Sequence, residues 1–355
     1  MGSYNFDGHK LAYHSDRVAQ YIKTGDCFPL YAEISPVGSC NHRCLFCAYD
    51  YIGHPNRRLD TRQLLETVVD MAACGLKSIV LAGEGEPLLH PDIATIIAHI
   101  RAQGIDVGLY TNGHFLSSAL AQRILPHLTF VRFSFNGGTP ADYARVHQVK
   151  PTVFKIVLKN MAQAVRLKKQ AQWPVDIGAQ FVLINENKTS LYKAAEVIKA
   201  AGLDYLAVKP FHLQRPEQGY TDDGGFEAQT LEALFESILG LAEDRFSIVV
   251  RKEGFLNKVP RLYKHCRGCS FTTVINSAGD VATCLPYWDK PDFIYGNIHQ
   301  QKFVDIWQGR RRKALQVLLE QELKAQHCPA NCRPHAINTY LNELIQPTLR
   351  HVNFI

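Results

Sequence analysis

An α/β fold built on a parallel sheet, followed by a smaller cysteine-rich extension, is what this sequence predicts. Three observations carry that prediction. Short β-rich runs alternate with longer helical patterns through the first part of the chain, three closely spaced cysteines follow the first of those runs, and five more cysteines gather from Cys266 onward. A length of 355 residues suits one large domain with an appendage.

Residues 1–29 read as an N-terminal lead-in. The β-rich runs lie at 30–35, 78–82, 106–110, 130–135, 175–183 and 205–209, and helical patterns fill the gaps at about 61–74, 92–103, 116–125, 152–170 and 190–201. Strand–helix alternation at this spacing implies βαβ units and a parallel sheet. Six such units either close into a partial barrel or lie open as a doubly wound sheet, and the pattern alone does not choose. In both, reactive groups gather at the C-terminal ends of the strands, and Cys40 follows the first run after a short loop. The core is therefore placed at 30–217. A Gly- and Asp-containing stretch, 218–225, marks a boundary; a helix (about 226–243) and a short strand (247–251) make 218–265 a linker, and 266–355 forms the second cysteine domain.

Composition narrows the functional classes. Hydrophobic residues make up 46% and charged residues 20%, ordinary for a globular protein with a core. The net charge of +6 is too mild and too scattered to imply nucleic acid. The densest basic run, Arg310-Arg311-Arg312-Lys313, reads as a solvated helix face. No apolar run is long enough to cross a bilayer, the start lacks the regions of a signal peptide, and Phe6 breaks the myristoylation pattern begun by Gly2. A cytoplasmic protein with neither membrane nor nucleic-acid partner is expected. In a reducing compartment clustered cysteines are metal ligands or redox groups rather than disulfides. Of the ten cysteines only Cys27 and Cys74 stand apart; each reads as a small buried side chain, the alternative being a hydrogen-atom donor to a substrate radical.

The first group, Cys40-Asn41-His42-Arg43-Cys44-Leu45-Phe46-Cys47, puts three thiols in one loop. Three thiolates on a cubane of four irons leave one iron without a protein ligand. A tetrahedral zinc site needs a fourth ligand; His42 is available but lies between two of the thiols. The spacing CxxxCxφC, with Phe46 before the last cysteine, resembles the radical S-adenosylmethionine (SAM) superfamily. That resemblance spans residues 30–210 and implies a partial (β/α)6 radical SAM barrel. It also implies a [4Fe–4S] cluster whose open iron is chelated by SAM, and an external electron donor such as flavodoxin or ferredoxin.

Further motifs sit where that family has them. Gly83-Glu84-Gly85-Glu86-Pro87 resembles the family's GGEP motif, which contacts the SAM amino group; aligning on Gly85 and Glu86 puts Glu84 where glycine is usual. Asn112 and Ser134 end the third and fourth strands and are expected on the SAM ribose or carboxylate; Arg145 is either a partner of the SAM carboxylate or an exposed helical arginine, the second being the commoner role. Asn136, Asn185 and Lys209 are weaker candidates. No catalytic acid or base is identified.

In the second group the segment 271–283 reads as a hairpin that brings Cys269 and Cys284 together. Cys269, Gly279 and Cys284 fit the Cys-x9-Gly-x4-Cys opening of the SPASM/Twitch extension. Five cysteines suffice for one auxiliary [4Fe–4S] cluster. The resemblance makes Cys269, Cys284, Cys328 and Cys332 its ligands, with Cys266 a spare or a substitute; four thiolates suit structural zinc equally well. Tyr287, Trp288 and His335 line a pocket or pack in the core.

The function these readings imply is a radical SAM oxidoreductase. A 5′-deoxyadenosyl radical removes a substrate hydrogen atom, and an electron then passes to the auxiliary cluster. The short stretch before the first strand favours a small polar, sugar- or cyclitol-like substrate over a peptide. A peptide maturase, a redox-neutral epimerase or mutase, and a non-catalytic iron–sulfur or zinc scaffold remain the alternatives.

Overall fold

The computed structural model describes residues 4, 8–211, 226–256, 261–321, 328 and 332–354. The boundary stretch 218–225 lies outside them. Seven strands follow in chain order: β1 (Tyr31–Ile34), β2 (Ser78–Leu81), β3 (Asp106–Thr111), β4 (Phe130–Ser134), β5 (Asp176–Leu183), β6 (Tyr205–Pro210) and β7 (Ser247–Val250). Each pairs in parallel with the next. A doubly wound sheet reverses its strand order at a switch point. Here the order from β1 to β7 never reverses, so the sheet is the wall of a partial barrel.

Helices cover the outer face of the wall, which makes most of its strands largely apolar runs; in β6 every residue but Lys209 is buried, whereas β7 is only partly buried. Helix α2 (Thr61–Ala73) starts where the Asp60 side chain accepts from the Gln63 N–H, and buries Leu64, Thr67, Val68 and Met71 at the spacing of one helical stripe. Helices α3 (Ile93–Ala102), α4 (Ser118–Ile124), α6 (Thr152–Ala171) and α7 (Leu191–Ala200) fill the remaining crossovers. Between β4 and α6 an extra helix, α5 (Pro140–His147), begins with Pro140 in its first turn and Thr139 accepting from the Asp142 N–H. α8 (Ala228–Leu239) leads to β7, so the strand read as part of a linker is the seventh staff of the wall, and the short helix α9 (Lys252–Leu256) follows it.

The cysteine-rich segment extends the same sheet. β8 (Thr272–Ile275) pairs in parallel with β1 on the side away from β2, and β9 (Asp280–Ala282) and β10 (Ile294–Asn297) add antiparallel strands. The expected hairpin is therefore present, with Gly279 at φ +87° in its turn, a conformation that glycine adopts without strain.

Within the lead-in, helix α1 (Ser15–Thr24) packs Val18 and Tyr21 against Leu30, Phe271 and Leu341, which joins it to α12 (His335–Ile345). The basic run is a solvated face at Arg310, Arg311 and Lys313, which are exposed, but not at Arg312. It lies in α11 (Arg310–Gln321), which follows α10 (Phe303–Gln308). The Arg312 side chain is 1% exposed, donates to both Asp26 oxygens at 2.8 and 2.5 Å, and lies 4.1 Å over the Trp307 ring. Asp26 comes from a distant part of the sequence, so charge patterning alone could not find the pair. Replacing Asp26 with alanine strands a buried guanidinium and is expected to cost about 3 kcal/mol, read as a lowered midpoint in urea unfolding.

Candidate active site

The three early thiols are set in the loop between β1 and α2, above the C-terminal ends of the strands. Backbone bonds hold that loop from several sides. Arg43 and Leu45 N–H donate to the His147 and Val146 carbonyls at 3.2 and 2.9 Å, Cys47 N–H to Cys44 O at 3.0 Å, and Glu86 N–H to Ser39 O at 3.0 Å. Helix α5, which shows no distinct sequence signal, therefore braces the cysteine loop with its last turn.

Burial pushes the Cys40 thiol up to about 12, with Glu86 and Cys47 adding to it, raises Cys47, and drives Cys44 well up, with Cys47 and Cys40 adding. Three thiols close enough to oppose one another's ionisation are costly to bury as thiolates unless a cation compensates them. This donor set fits an iron–sulfur cluster. His147 is fully buried and kept neutral by that burial. Its Nε2 accepts from the Asn136 backbone N–H at 3.2 Å, so its Nδ1 carries the proton and donates to Cys44 Sγ at 3.2 Å. Donors to ligating sulfurs tune and orient a metal site, and their loss typically costs about 10–100-fold. His147→Phe keeps the stacking on Tyr143 (4.0 Å) and is expected to lower cluster-dependent turnover within that range, measured per mole of bound iron.

His42, considered as a fourth ligand, is 2% exposed, and both its ring nitrogens lack a partner. Its nitrogen lies with Cys44 Sγ and the nearest His147 nitrogen in a set whose atoms are all within 4.8 Å. Both His147 nitrogens are already engaged, however, which leaves this trio a poor zinc site beside the three-thiol loop.

Glu86 organises the floor. Its carboxylate is buried and accepts from Thr111 Oγ1 (2.7 Å), Asn112 N–H (2.8 Å) and Leu88 N–H (3.0 Å), locking the loop after β2 to the end of β3. Burial raises its pKa, and these three bonds oppose the rise. Asn112 Nδ2 in turn donates to Asn41 Oδ1 in the cysteine loop at 2.8 Å. A Cβ on Gly85 would lie 2.2 Å from Ser39 O and 2.6 Å from Val37 O, so this close approach requires glycine. Glu84, the departure from the usual motif, is buried and pairs with Arg57 at 3.3 Å while Ser277 of the hairpin turn donates to its carboxylate. It therefore ties the barrel loop to the extension.

In the second group Cys266, Cys284, Cys328 and Cys332 lie close together: after burial, Cys266 is the leading group raising Cys284 and Cys328, and Cys328 and Cys266 both raise Cys332. Cys269 is 3% exposed and its Sγ donates to the Cys266 carbonyl at 3.4 Å. Hydrogen bonds from Cys269 and from Asn338 Nδ2 (3.4 Å) bring the Cys266 thiol down to about 7. All five thiols thus converge, and Cys266 stands among them rather than apart.

A cavity of about 1120 Å³ joins the two groups: Cys40, Cys44 and Cys47 line one part of its wall and Cys284, Cys328 and Cys332 another. Phe46, Gly85, Glu86, Asn112 and Ser134 also line it, and the Ser134 hydroxyl has no hydrogen-bond partner among the described residues. Arg145 is a correction. It sits one helical turn from Asp142, to which it donates at 3.0 Å, and its side chain is half exposed on the face of α5 opposite buried Tyr143, Val146 and His147. It is not part of the cavity wall. Asn136 is a positioning group: its Oδ1 accepts from Val182 N–H at 2.5 Å and its backbone fixes His147. Neither Cys27 nor Cys74 lines the cavity; burial pushes their thiols up to about 12 and about 11. Trp288 is a core residue packed on Tyr49 at 4.7 Å, Tyr287 stacks on Phe293 at 4.1 Å, and His335 lines the cavity with Nδ1 2.8 Å from Tyr263 OH. Among the described residues no helix is long and apolar enough to cross a membrane.

Comparison with known proteins agrees with this geometry. Residues 34–198 match the radical SAM superfamily, and residues 266–333 match an iron–sulfur cluster-binding domain named SPASM. Together these imply a SAM-binding [4Fe–4S] cluster and an auxiliary iron–sulfur cluster. A probable GTP 3′,8-cyclase of Pyrobaculum aerophilum is 25% identical over 69% of this chain and 80% of that protein. A tungsten-containing aldehyde ferredoxin oxidoreductase cofactor-modifying protein of Pyrococcus furiosus is 23% identical over 79% of this chain and 81% of its own. Streptococcus suis SuiB, solved bound to its precursor peptide SuiA, shares the fold with a TM-score of 0.65 at 16% identity, over 87% of this chain and 74% of SuiB.

Proposed function

Because the chain belongs to the radical SAM superfamily and carries a SPASM iron–sulfur domain, we propose that it is an oxidoreductase acting on a small polar metabolite. One observation carries this reading: both thiol groups open on a single cavity. When bound, the first cluster and SAM supply a 5′-deoxyadenosyl radical, chemistry that belongs to the cofactors.

The chain's own residues hold and orient. Cys40, Cys44 and Cys47, which line the cavity, would hold the first cluster through three thiolates. Glu86 shapes the loop that meets the SAM amino group, and Asn112 and Ser134 take the ribose or carboxylate. The buried wall excludes water from a reactive radical. Four of Cys266, Cys269, Cys284, Cys328 and Cys332 would hold the second cluster, whose chemistry there would be that of a one-electron acceptor. The two curated relatives described above are named for GTP and for an enzyme cofactor, which supports a small-molecule substrate.

The test is a metabolite screen with anaerobically reconstituted protein, SAM and dithionite, scored by stimulated 5′-deoxyadenosine release. The reading expects a product two hydrogens lighter than its substrate, formed one-for-one with deoxyadenosine. A product of unchanged mass carrying solvent deuterium would overturn it in favour of an epimerase. Unchanged turnover after Cys284→Ala and Cys332→Ala would remove the electron-accepting role.

A further inference from the structure

Lys209 is the one residue of β6 that is not fully buried, and its side chain lines the cavity. Among the described residues its ammonium makes no hydrogen bond or ion pair. Its surroundings are cationic. Burial, followed by Arg251 and Arg132, holds its pKa down to about 8, and only Glu33 opposes them. Arg251 follows β7, the strand beside β6, and its N–H donates to Val208 O at 2.9 Å. Arg261 lies close enough to the second cysteine group to influence both Cys328 and Cys332.

Glu33, on β1, is already engaged. It pairs with Arg333 at 2.7 Å and accepts from Tyr31 OH at 3.2 Å. Arg333 directly follows Cys332, so the Glu33 carboxylate is spent on fixing the cluster loop to the barrel. Among the described residues the wall of the cavity there carries Lys209, Arg251, Arg261 and Arg333 beside Glu33. The remaining acids of the cavity wall are committed or remote. Glu84 pairs with Arg57, Glu86 is saturated by its three donors, and Asp176 opens β5 at the opposite end of the barrel.

A partly desolvated ammonium with cations beside it and no anion of its own is an electrostatic vacancy, and inside a cavity that vacancy is far less screened than on a surface. A neutral sugar or cyclitol would leave it uncompensated. We propose that the substrate is an organic oxyanion whose carboxylate or phosphate is held by Lys209, flanked by Arg251 and Arg333, on the side of the cavity next to the second cysteine group. This rests on the radical SAM reading of the same cavity and narrows its substrate class. It also orients the substrate: the charged end is held toward the second thiol group, leaving the neutral end for the SAM side.

The probes are inorganic phosphate and 13C-labelled malonate, added separately to reconstituted, dithionite-reduced full-length protein saturated with SAM. The readout is paramagnetic broadening of the 31P or 13C resonance by the nearby cluster. Broadening of phosphate alone assigns a phosphate ester, malonate alone a carboxylate, and both an oxyanion of either kind; each supports the proposal. Lys209→Gln is expected to weaken the effect at least about tenfold, and Lys209→Arg to keep it within about threefold, because the charge rather than the amine is required. No broadening of either probe by the wild type, or equal broadening by the glutamine variant, overturns the proposal. Deoxyadenosine formed by the wild type is scored in parallel. SAM cleavage without anion binding sinks this inference alone, whereas absence of SAM cleavage sinks the reading beneath it.

Discussion

Replacing any one of Cys40, Cys44 or Cys47 with alanine is expected to abolish 5′-deoxyadenosine formation, a fall of at least about a thousandfold, because the reaction has no alternative electron entry once the cofactor is lost. The effect should be all-or-none for a structural reason. The loop offers three thiols, His147 already spends both its nitrogens on Cys44 and Asn136, and His42 faces Cys44 rather than a free corner. The loop holds no fourth cysteine, and His54, with Nε2 3.9 Å from Cys47 Sγ, offers an imidazole and does not supply a thiolate. Loss of iron from this group alone is measurable, because the second group stands on its own elements, with its hairpin on β8 and β9 and Cys332 beside α12. Each variant should therefore keep the iron and sulfide of the second group while losing those of the first. A variant that retained both full iron content and SAM cleavage would remove that thiol from the ligand set.

The second large effect is expected at Glu86. Its side chain satisfies two buried backbone N–H groups, those of Leu88 and Asn112, together with the Thr111 hydroxyl. Truncation to alanine orphans these donors at about 1–3 kcal/mol each. It also frees Asn112 from its place beside Asn41 of the cysteine loop. If about 3 kcal/mol of that loss falls on the SAM-bound geometry, affinity drops by about two orders of magnitude. Equilibrium dialysis of SAM against reconstituted Glu86→Ala measures it directly. Glu86→Gln keeps an acceptor but forces an NH2 group toward donors, so it should be nearly as damaging. Full SAM affinity in the alanine variant would show that the carboxylate serves only the fold.

What the sequence made legible was local. Three cysteines within eight residues, a Gly-Glu-Pro turn after a β-rich run, and a hairpin between Cys269 and Cys284 all lie within short stretches, where spacing dictates geometry. The strands at 78–82, 106–110, 130–135 and 205–209 fall within a residue of their observed limits, because fully buried parallel strands must be short apolar runs. The choice between open sheet and barrel was not legible, since it depends on which strands neighbour one another.

What stayed hidden was every pairing that joins distant parts of the chain. Arg312 meets Asp26, Glu84 meets Arg57 and Ser277, and Arg333 meets Glu33. Each was an ordinary polar residue until the fold brought its partner. Of the two readings of Arg145, the fold favours the exposed helical one, for the same reason. Its position after β4 suggested the SAM pocket, but helical periodicity turns the side chain away and gives it to Asp142. His147 is the reverse case. No motif pointed to it, yet closing α5 against the loop makes it the donor to Cys44 Sγ. The joining of both thiol groups on one cavity depends on β8 pairing with β1, a contact between residues far apart in sequence.

Electron paramagnetic resonance of the dithionite-reduced, reconstituted protein, recorded with and without SAM, tests the open corner of the first cluster most directly. The account predicts two reduced-cluster signals, one of which changes on adding SAM and disappears in the combined Cys40→Ala, Cys44→Ala, Cys47→Ala variant while the other persists. A wild-type spectrum that SAM leaves unaltered would contradict it.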